Sequence, residues 1–481
     1  MKQVGKIALV LALALGCAEN PATGKRQLNL IPQSQEVALG KQSAEEVAHT
    51  VGLVDQPALQ RYVSDLGKRL AAKGERPDLP WSFQVVDDSA VNAFALPGGY
   101  VFVTRGILAH MNNEAQLASV VGHEIGHVTA RHSVNQISKQ QLAQLGLGLG
   151  MLLSEDVRRF GQLGVAGLSV LFLKFSRDAE NQADELGLRY ATKAGYDGRQ
   201  MPAVFDTLKR VSAGAPGRLP EWLSTHPDPE HRIEKTEARL AKLGVNGGAV
   251  ASEEYLRAID GITFGPDPRQ GFFQGDRFLQ PDLHFTVTFP QGWQHTNLKE
   301  AVVAASPQQD AIVQITLTKF SDPAQALQQF TAQQGVQAVG APGRVSTALP
   351  SAAQQFTAST DQGELADVAA FVDHEGKVYQ ILELTSPDKL SGFGPLFTQV
   401  PASFSQLTDP AALAVRAAKV QVLTAPGAMT LAQLAQQRPA SVPVETLALI
   451  NQMQPSTALA AGQKVKWVVG GTKEAQPVSM R

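Results

Sequence analysis

Asn113-Glu114-Ala115-Gln116-Leu117-Ala118-Ser119-Val120-Val121-Gly122-His123-Glu124-Ile125-Gly126-His127-Val128 is the stretch that decides how the chain reads. Asn113 with Gln116 three residues on forms a capping-box pattern that opens a helix, and Leu117, Val121, Ile125 and Val128 fall on one core-facing stripe. His123 and His127 share another face. Four residues is about one helical turn, so both imidazoles can reach one metal ion, with Glu124 beside an open coordination position. The bland reading is two surface histidines on a helix. A structural zinc site would normally be closed by four protein ligands, often thiolates, and Cys17 is the only cysteine of the 481 residues. An open catalytic site with three protein ligands is what remains.

The third ligand must be a His, Glu or Asp on another element. The best candidate is Glu180 in Ser176-Arg177-Asp178-Ala179-Glu180-Asn181-Gln182-Ala183-Asp184. Asp184 follows one turn later, where it can accept a hydrogen bond from the far nitrogen of a ligand histidine and fix its tautomer. Alone, acidic residues on a helix are usually a solvated face; they gain meaning only as partners of His123 and His127.

Outward from this centre, helical patterning covers Ser34 to Ala72, and Trp81 to Val86 and Tyr100 to Thr104 read as strands, the second after the turn Pro97-Gly98-Gly99. Gln136 to Phe175 is rich in Gly and Leu, but Glu155, Asp156, Arg158 and Arg159 interrupt it. Its apolar remainder, Leu163 to Leu173, suits a buried or interfacial helix better than a span. Helical patterning resumes to about Leu243, and Gly244 through Pro268 reads as a linker. Beyond it, Phe285 to Phe289, Ile312 to Thr318 and Lys377 to Leu384 alternate as strands, and Asp322-Pro323 caps a helix over Ala324 to Gln334. Trp293 is expected in the core of that module.

The stretches Asn92-Ala93-Phe94-Ala95-Leu96-Pro97-Gly98-Gly99, His123-Glu124-Ile125-Gly126-His127, Ser176-Arg177 with Glu180 and Asp184, Ala194-Gly195-Tyr196-Asp197, and His226-Pro227-Asp228-Pro229 with Arg232 occur in this order across the first half of the chain. Together they resemble the gluzincin (HExxH) metallopeptidase family that includes the CAAX prenyl protease, HtpX, BepA and LoiP. The resemblance implies one zinc ion per chain, with ligands His123, His127 and Glu180 and with Glu124 as general base. It places His226 near the open zinc position, where it would close the shell at rest or donate to an oxyanion. Arg232, one turn into a helix opened by Asp228 and Pro229, would add positive charge to the same anion. By analogy with other zincins, Tyr100 to Thr104 is expected to offer an edge to an extended substrate. The tetratricopeptide pattern of BepA is missing from the second half.

At the N-terminus, Lys2 and Lys6 precede the apolar run Ile7 to Leu15 and then Gly16-Cys17, the pattern of an export signal ending in a lipidated cysteine. Ala18 resembles the sorting position of lipoproteins held at the inner face of the outer membrane of Gram-negative bacteria, facing the periplasm. Net charge −2 and pI ≈ 6.6 supply no field for nucleic acid.

The expected architecture is multidomain α+β. It comprises a signal peptide (1–16), a lipidated tether (17–33) and a mainly helical zinc metallopeptidase domain with a small sheet (34–265). An α+β module faintly PsbP-like (270–407), a small βααβ module resembling a LysM repeat (414–469) and a disordered tail (470–481) follow. In the last module Asn451 and Ala461 to Val465 match LysM, leaving two readings: peptidoglycan attachment or a plain packing domain. The expected function is cleavage of unfolded, misfolded or misassembled envelope proteins. The alternatives are a catalytically silent chaperone or scaffold for outer-membrane protein assembly, and a cell-wall hydrolase, whose zinc ligands generally follow other spacings.

Overall fold

The structure is a computed structural model that describes residues 17–147, 175–213, 226, 229–244, 247–298, 300–345, 348–360 and 363–471. The stretch before Cys17, the run Leu163 to Leu173, Asp228 and the tail after residue 471 lie outside the described residues. The chain divides into two units, Met1–Gly265 with Lys419–Val469, and Pro266–Ala418 with Gly470–Arg481.

The first unit begins with an antiparallel hairpin of β1 (Cys17–Glu19) and β2 (Arg26–Leu28), so the expected tether is folded here. Helix α1 (Gln33–Thr50) and helix α2 (Pro57–Ala71) follow. Pro57 stands where a helix has an unused N–H in any case. A three-stranded sheet comes next, from β3 (Ser82–Val86), β4 (Ala93–Leu96) and β5 (Tyr100–Thr104), in the order β3-β5-β4. This order corrects one expectation. Tyr100–Thr104 is the central strand, parallel to β3 on one side and antiparallel to β4 on the other. The edges are β3 and β4, because the tight turn at Gly98 (φ 79°) and Gly99 (φ 106°) folds Ala93–Leu96 back onto the free side of β5.

Helix α3 (Arg105–His110) leads directly into α4 (Glu114–Thr129), which carries the two motif histidines. The Asn113 side chain accepts from Gln116 N at 2.9 Å and starts the helix as expected, while Gln116 Oε1 accepts from Asn112 N at 2.7 Å. Arg131, at φ 57°, ends it. Every residue of α4 is buried, including its polar ones, so it is a central helix, packed on more than its one apolar stripe. Around it lie α5 (His132–Leu147), α6 (Arg177–Lys193), α7 (Met201–Ala213), α8 (Pro229–Leu243) and α9 (Ser252–Ile259). The last of these falls inside the expected linker. Tyr255 and Ile259 of α9 are fully buried, and the Tyr255 hydroxyl donates to Leu108 O at 2.6 Å, so this stretch belongs to the core.

Helices α4 and α6 touch backbone to backbone. A Cβ on Gly187 would lie 2.7 Å from His123 N, one on Gly122 2.9 Å from Gly187 O, and one on Gly126 3.0 Å from Ala183 O. Only hydrogen atoms fit in these gaps.

Residues 419–469 complete this unit. The strands Ala418–Thr424 and Lys464–Gly470 form a sheet with β6 (Thr263–Phe264), in which Ala418–Thr424 is central, and helices Leu431–Gln437 and Val444–Ile450 lie between them in sequence. Lys466 is fully buried and its Nζ donates to Ala109 O (2.8 Å) and Met111 O (2.5 Å), at the C-terminal end of α3. Gln452 donates to His110 O at 3.0 Å.

The second unit is built on a seven-stranded antiparallel sheet. Its central pair, Ala311–Leu317 and Lys377–Thr385, alternates inward and outward residues as expected. A four-stranded sheet contains Phe285–Thr288. Asp322 caps helix Pro323–Thr331 by accepting from Gln325 N at 2.7 Å. Trp293 is buried in a core with Phe285, Tyr379 and Phe404.

Replacing Gly187 by Ala tests the helix contact. In a free helix the change stabilises by about 1 kcal/mol. Here the added methyl meets His123 backbone, so the expected result is a loss of roughly 1–3 kcal/mol in urea unfolding. An unchanged or raised midpoint would show that the two helices need no such approach.

Candidate metal centre

Four buried side chains converge where α4 and α6 meet: His123 and His127 from α4, Glu180 from the first turn of α6, and His226 from the segment before α8. One ligand atom from each lies within 4.8 Å of the others. His123 Nε2 is 3.0 Å from His127 Nε2, 3.3 Å from His226 Nδ1 and 3.6 Å from Glu180 Oε2. His127 Nε2 lies 3.5 Å from Glu180 Oε1. These are separations expected of nitrogen and oxygen donors sharing one ion about 2.0–2.2 Å from each. Local sequence accounts for the placement. The i, i+4 spacing stacks the two histidines, and the Ser176 hydroxyl, accepting from Ala179 N at 3.3 Å, starts α6 so that Glu180 stands in its first turn.

Glu124 is buried beside this group, and its Oε1 has no hydrogen-bond partner among the described residues; the nearest cationic candidate is His226 Nε2 at 3.9 Å. An orphaned buried carboxylate oxygen next to imidazole and carboxylate donors suited to zinc is the observation by which the residues fit that metal.

The remaining sequence-chosen residues surround the ligands. Asp184 Oδ1 sits 2.9 Å from His123 Nδ1, so the carboxylate accepts that proton and leaves Nε2 for the centre. Arg232 adjoins the acidic pair. Its Nε and Nη2 donate to Asp184 Oδ2 (2.8 Å) and Oδ1 (2.6 Å), and its Nη1 stands 3.4 Å from Glu180 Oε2. The fork of Arg232 therefore orders the acidic pair, and the guanidinium also lies over the Phe205 ring at 4.3 Å.

Electrostatics follow from burial. It lowers His127 well below its ordinary range, with His123 adding to the effect, and lowers His123 as well, with Arg232 beside it. Both imidazoles are thus held neutral, the form that binds a metal. Burial alone would raise Asp184 and Glu180, but Arg232 holds Asp184 well below the carboxylate range, and His226 with Arg232 holds Glu180 below it. Burial pulls His226 down, yet the charge and hydrogen bonds of Glu180 raise it. Glu124 behaves differently: burial pushes its carboxyl up to about 7, with His226 opposing and Glu180 adding.

Two neighbours escaped sequence reasoning. His132 Nδ1 lies 2.9 Å from His127 Nδ1, and its Nε2 lies 2.9 Å from Gln182 Oε1. Five residues past His127 is not a same-face spacing within one helix. Only the left-handed turn at Arg131 brings His132 back, a signal no periodicity carries. Phe175, with its ring centroid 4.2 Å from that of His127, was likewise unforeseen.

Residues 57–240 match peptidase family M48. The beta-barrel assembly-enhancing protease of Yersinia pestis is 31% identical over 232 residues, 47% of this chain and 47% of that protein. The mitochondrial metalloendopeptidase OMA1 of Schizosaccharomyces pombe is 32% identical over 235 residues, 47% of this chain and 67% of that protein. The chain spans about half the length of the assembly-enhancing proteases it matches. A solution structure of cyanobacterial PsbP from Synechocystis is similar over 27% of this chain and 91% of its own, with 14% identity and a TM-score of 0.23, a likeness too slight to carry an argument.

The raised Glu124 pKa has a consequence for the metal-free protein. With a folded-state value of about 7 against an ordinary 4.5, the group's contribution to stability is fully present below about pH 4.5 and is lost as pH rises through 7. Glu124→Gln removes that loss. Chelator-stripped Glu124→Gln is expected to be more stable than stripped wild type near pH 8, by on the order of 3 kcal/mol at most, with the gain vanishing toward pH 5. Urea unfolding at both pH values decides; an equal gain at each would contradict the burial argument.

Proposed function

The chain belongs to peptidase family M48, and from that premise we propose that it is a zinc-dependent endopeptidase acting on unfolded or misassembled proteins of the cell envelope. The observation that carries this reading is the unpartnered Glu124 oxygen beside four convergent, buried ligand atoms. His123, His127 and Glu180 would hold the zinc. Bound there, it would polarise the scissile carbonyl and lower the pKa of a water from about 15.7 to about 7.

The chain's own residues do the rest. Glu124, poised near neutrality by burial, takes the proton of the attacking water and delivers it to the leaving amine. Asp184 keeps His123 in the ligating tautomer, and Arg232 acts through Asp184 and Glu180 rather than directly on the substrate. An extended substrate segment adds to the edge of β4, which carries no second strand partner among the described residues. His226 closes the ligand group at rest, as its 3.0 Å contact with Glu180 Oε1 supports, and moves aside when substrate enters.

The substrate class leans on the bacterial relatives, which are named for enhancing beta-barrel assembly. In this reading the chain works in the periplasm of a Gram-negative bacterium, anchored through lipid on Cys17 at the inner face of the outer membrane; the export-signal pattern and the lone cysteine support it. No helix among the described residues is long and apolar enough to cross a membrane. For residues 414–469 a packing role is favoured over peptidoglycan attachment. Asn451, the LysM-like asparagine, is buried, with its side chain bonded to Leu447 O and Lys466 O, both at 2.8 Å.

The test pairs metal content with cleavage of unfolded casein. Wild type is expected to hold one zinc per chain and cleave. Glu124→Gln is expected to keep the zinc and lose turnover by roughly 10²–10⁴. His226→Ala is expected to keep the zinc and cleave faster. Cleavage by metal-free protein, or wild-type turnover in Glu124→Gln, would overturn the zinc mechanism with Glu124 as base; zinc-loaded wild type that cleaves nothing would overturn the enzyme reading and favour a catalytically silent chaperone.

A further inference from the structure

The two ligand histidines on α4 are held by different means. His123 presents its Nδ1 to the Asp184 carboxylate at 2.9 Å, a shorter contact than that of Arg232 Nη2 at 3.2 Å, and a carboxylate only accepts, so this nitrogen carries the proton. His127 presents its Nδ1 to another imidazole, His132 Nδ1, at 2.9 Å, with the rings edge to face at 76°. Two such nitrogens share one proton, and the pair alone does not decide which ring carries it. If His132 carried it, His127 would be protonated on Nε2 and lost as a ligand.

The far side of His132 breaks the tie. Its Nε2 meets Gln182 Oε1 at 2.9 Å, and a carbonyl oxygen can only accept. His132 therefore carries its proton on Nε2, its Nδ1 lone pair accepts from His127 Nδ1–H, and His127 Nε2 faces His123 and Glu180 as a bare lone pair. A flipped Gln182 amide would reverse the whole chain, so something must hold the amide. Asn20 does so: its Nδ2 lies 3.5 Å from the same Oε1, where an amide nitrogen would repel it. Asn20 is itself oriented, since its Oδ1 accepts from Ala22 N at 2.9 Å while Nδ2 also points to Ala130 O (3.3 Å) and Gln27 Oε1 (3.1 Å). Gln27 Nε2 donates to Ala130 O at 2.9 Å, on the residue that caps the end of α4.

We propose that Gln182, acting through His132, is the positioning residue that sets the ligating tautomer of His127, and that the hairpin beginning at Cys17 orients it through Asn20. The stretch expected as a free tether is then part of the support of the metal centre. The inference rests on the metal-centre reading above.

The test uses the full chain and two readouts besides cleavage: zinc affinity by chelator competition, and the visible absorption of the cobalt-substituted protein. Gln182→Glu keeps an acceptor toward both His132 and Asn20 and is expected to bind zinc at least as tightly as wild type. Gln182→Leu removes the acceptor and is expected to bind roughly 10–100-fold more weakly, with a changed cobalt spectrum. Asn20→Ala, which leaves both helices untouched, is expected to show a smaller loss in the same direction, and it keeps the proposal testable should Gln182→Leu not fold. Wild-type affinity in Gln182→Leu, or equal weakening in the Leu and Glu variants, would overturn the relay; wild-type affinity in Asn20→Ala would overturn the role of the hairpin. A wild-type chain that bound neither metal would instead remove the metal-centre reading and this proposal with it.

Discussion

The contact on which the rest of the structure depends is the one between the backbones of α4 and α6. Ligands at His123 and His127 are fixed by helical spacing, but Glu180 belongs to another helix and reaches them only if the two axes come close. Gly122, Gly126 and Gly187 allow that, with virtual Cβ positions 2.7–3.0 Å from backbone atoms of the facing helix. Protein interiors transmit such displacements rather than absorbing them, so a single methyl here is felt at the ligands. The same approach places Asp184, one turn past Glu180, within 2.9 Å of His123 Nδ1.

Bringing the helices together also buries charge, which the structure balances group by group. Asp184 and Glu180 are both nearly inaccessible, and Arg232, equally buried, forks onto the first and approaches the second. Removing Arg232 would leave the buried Asp184 carboxylate facing only the neutral His123 imidazole, the situation in which a broken ion pair is most destabilising. Glu124 alone stands outside this balance. Its Oε1 has no partner among the described residues, and burial shifts its proton affinity toward neutrality, as the proposed general-base role requires.

Much of this was legible in the sequence, and the boundary has physical causes. His123, Glu124, His127, Glu180 and Asp184 lie on helices, where i, i+4 spacing converts directly into shared faces. The strand Tyr100–Thr104 and the cap at Asn113 were readable from alternation and capping chemistry. The neighbours of a strand were not, because periodicity says which way side chains point and nothing about which strand lies beside which; β5 is central for that reason, against expectation. Arg232 was expected, one turn into its helix, to add positive charge to an anion near His226; the fork it makes onto the Asp184 carboxylate joins two helices and has no local signal. His132, Gln182 and Asn20 come from a helix start, a helix face and a hairpin, and only the folded chain brings them together. Ser252–Ile259 was hidden by the Gly-rich stretch before it.

X-ray absorption at the zinc edge of the zinc-loaded full chain tests the central claim most directly. Convergence of His123, His127, Glu180 and His226 predicts a first shell of about four nitrogen and oxygen donors at about 2.0–2.1 Å, with the multiple-scattering signature of two or three imidazoles that falls by one in His226→Ala. A sulfur scatterer near 2.3 Å, or an all-oxygen shell without imidazole, would contradict it.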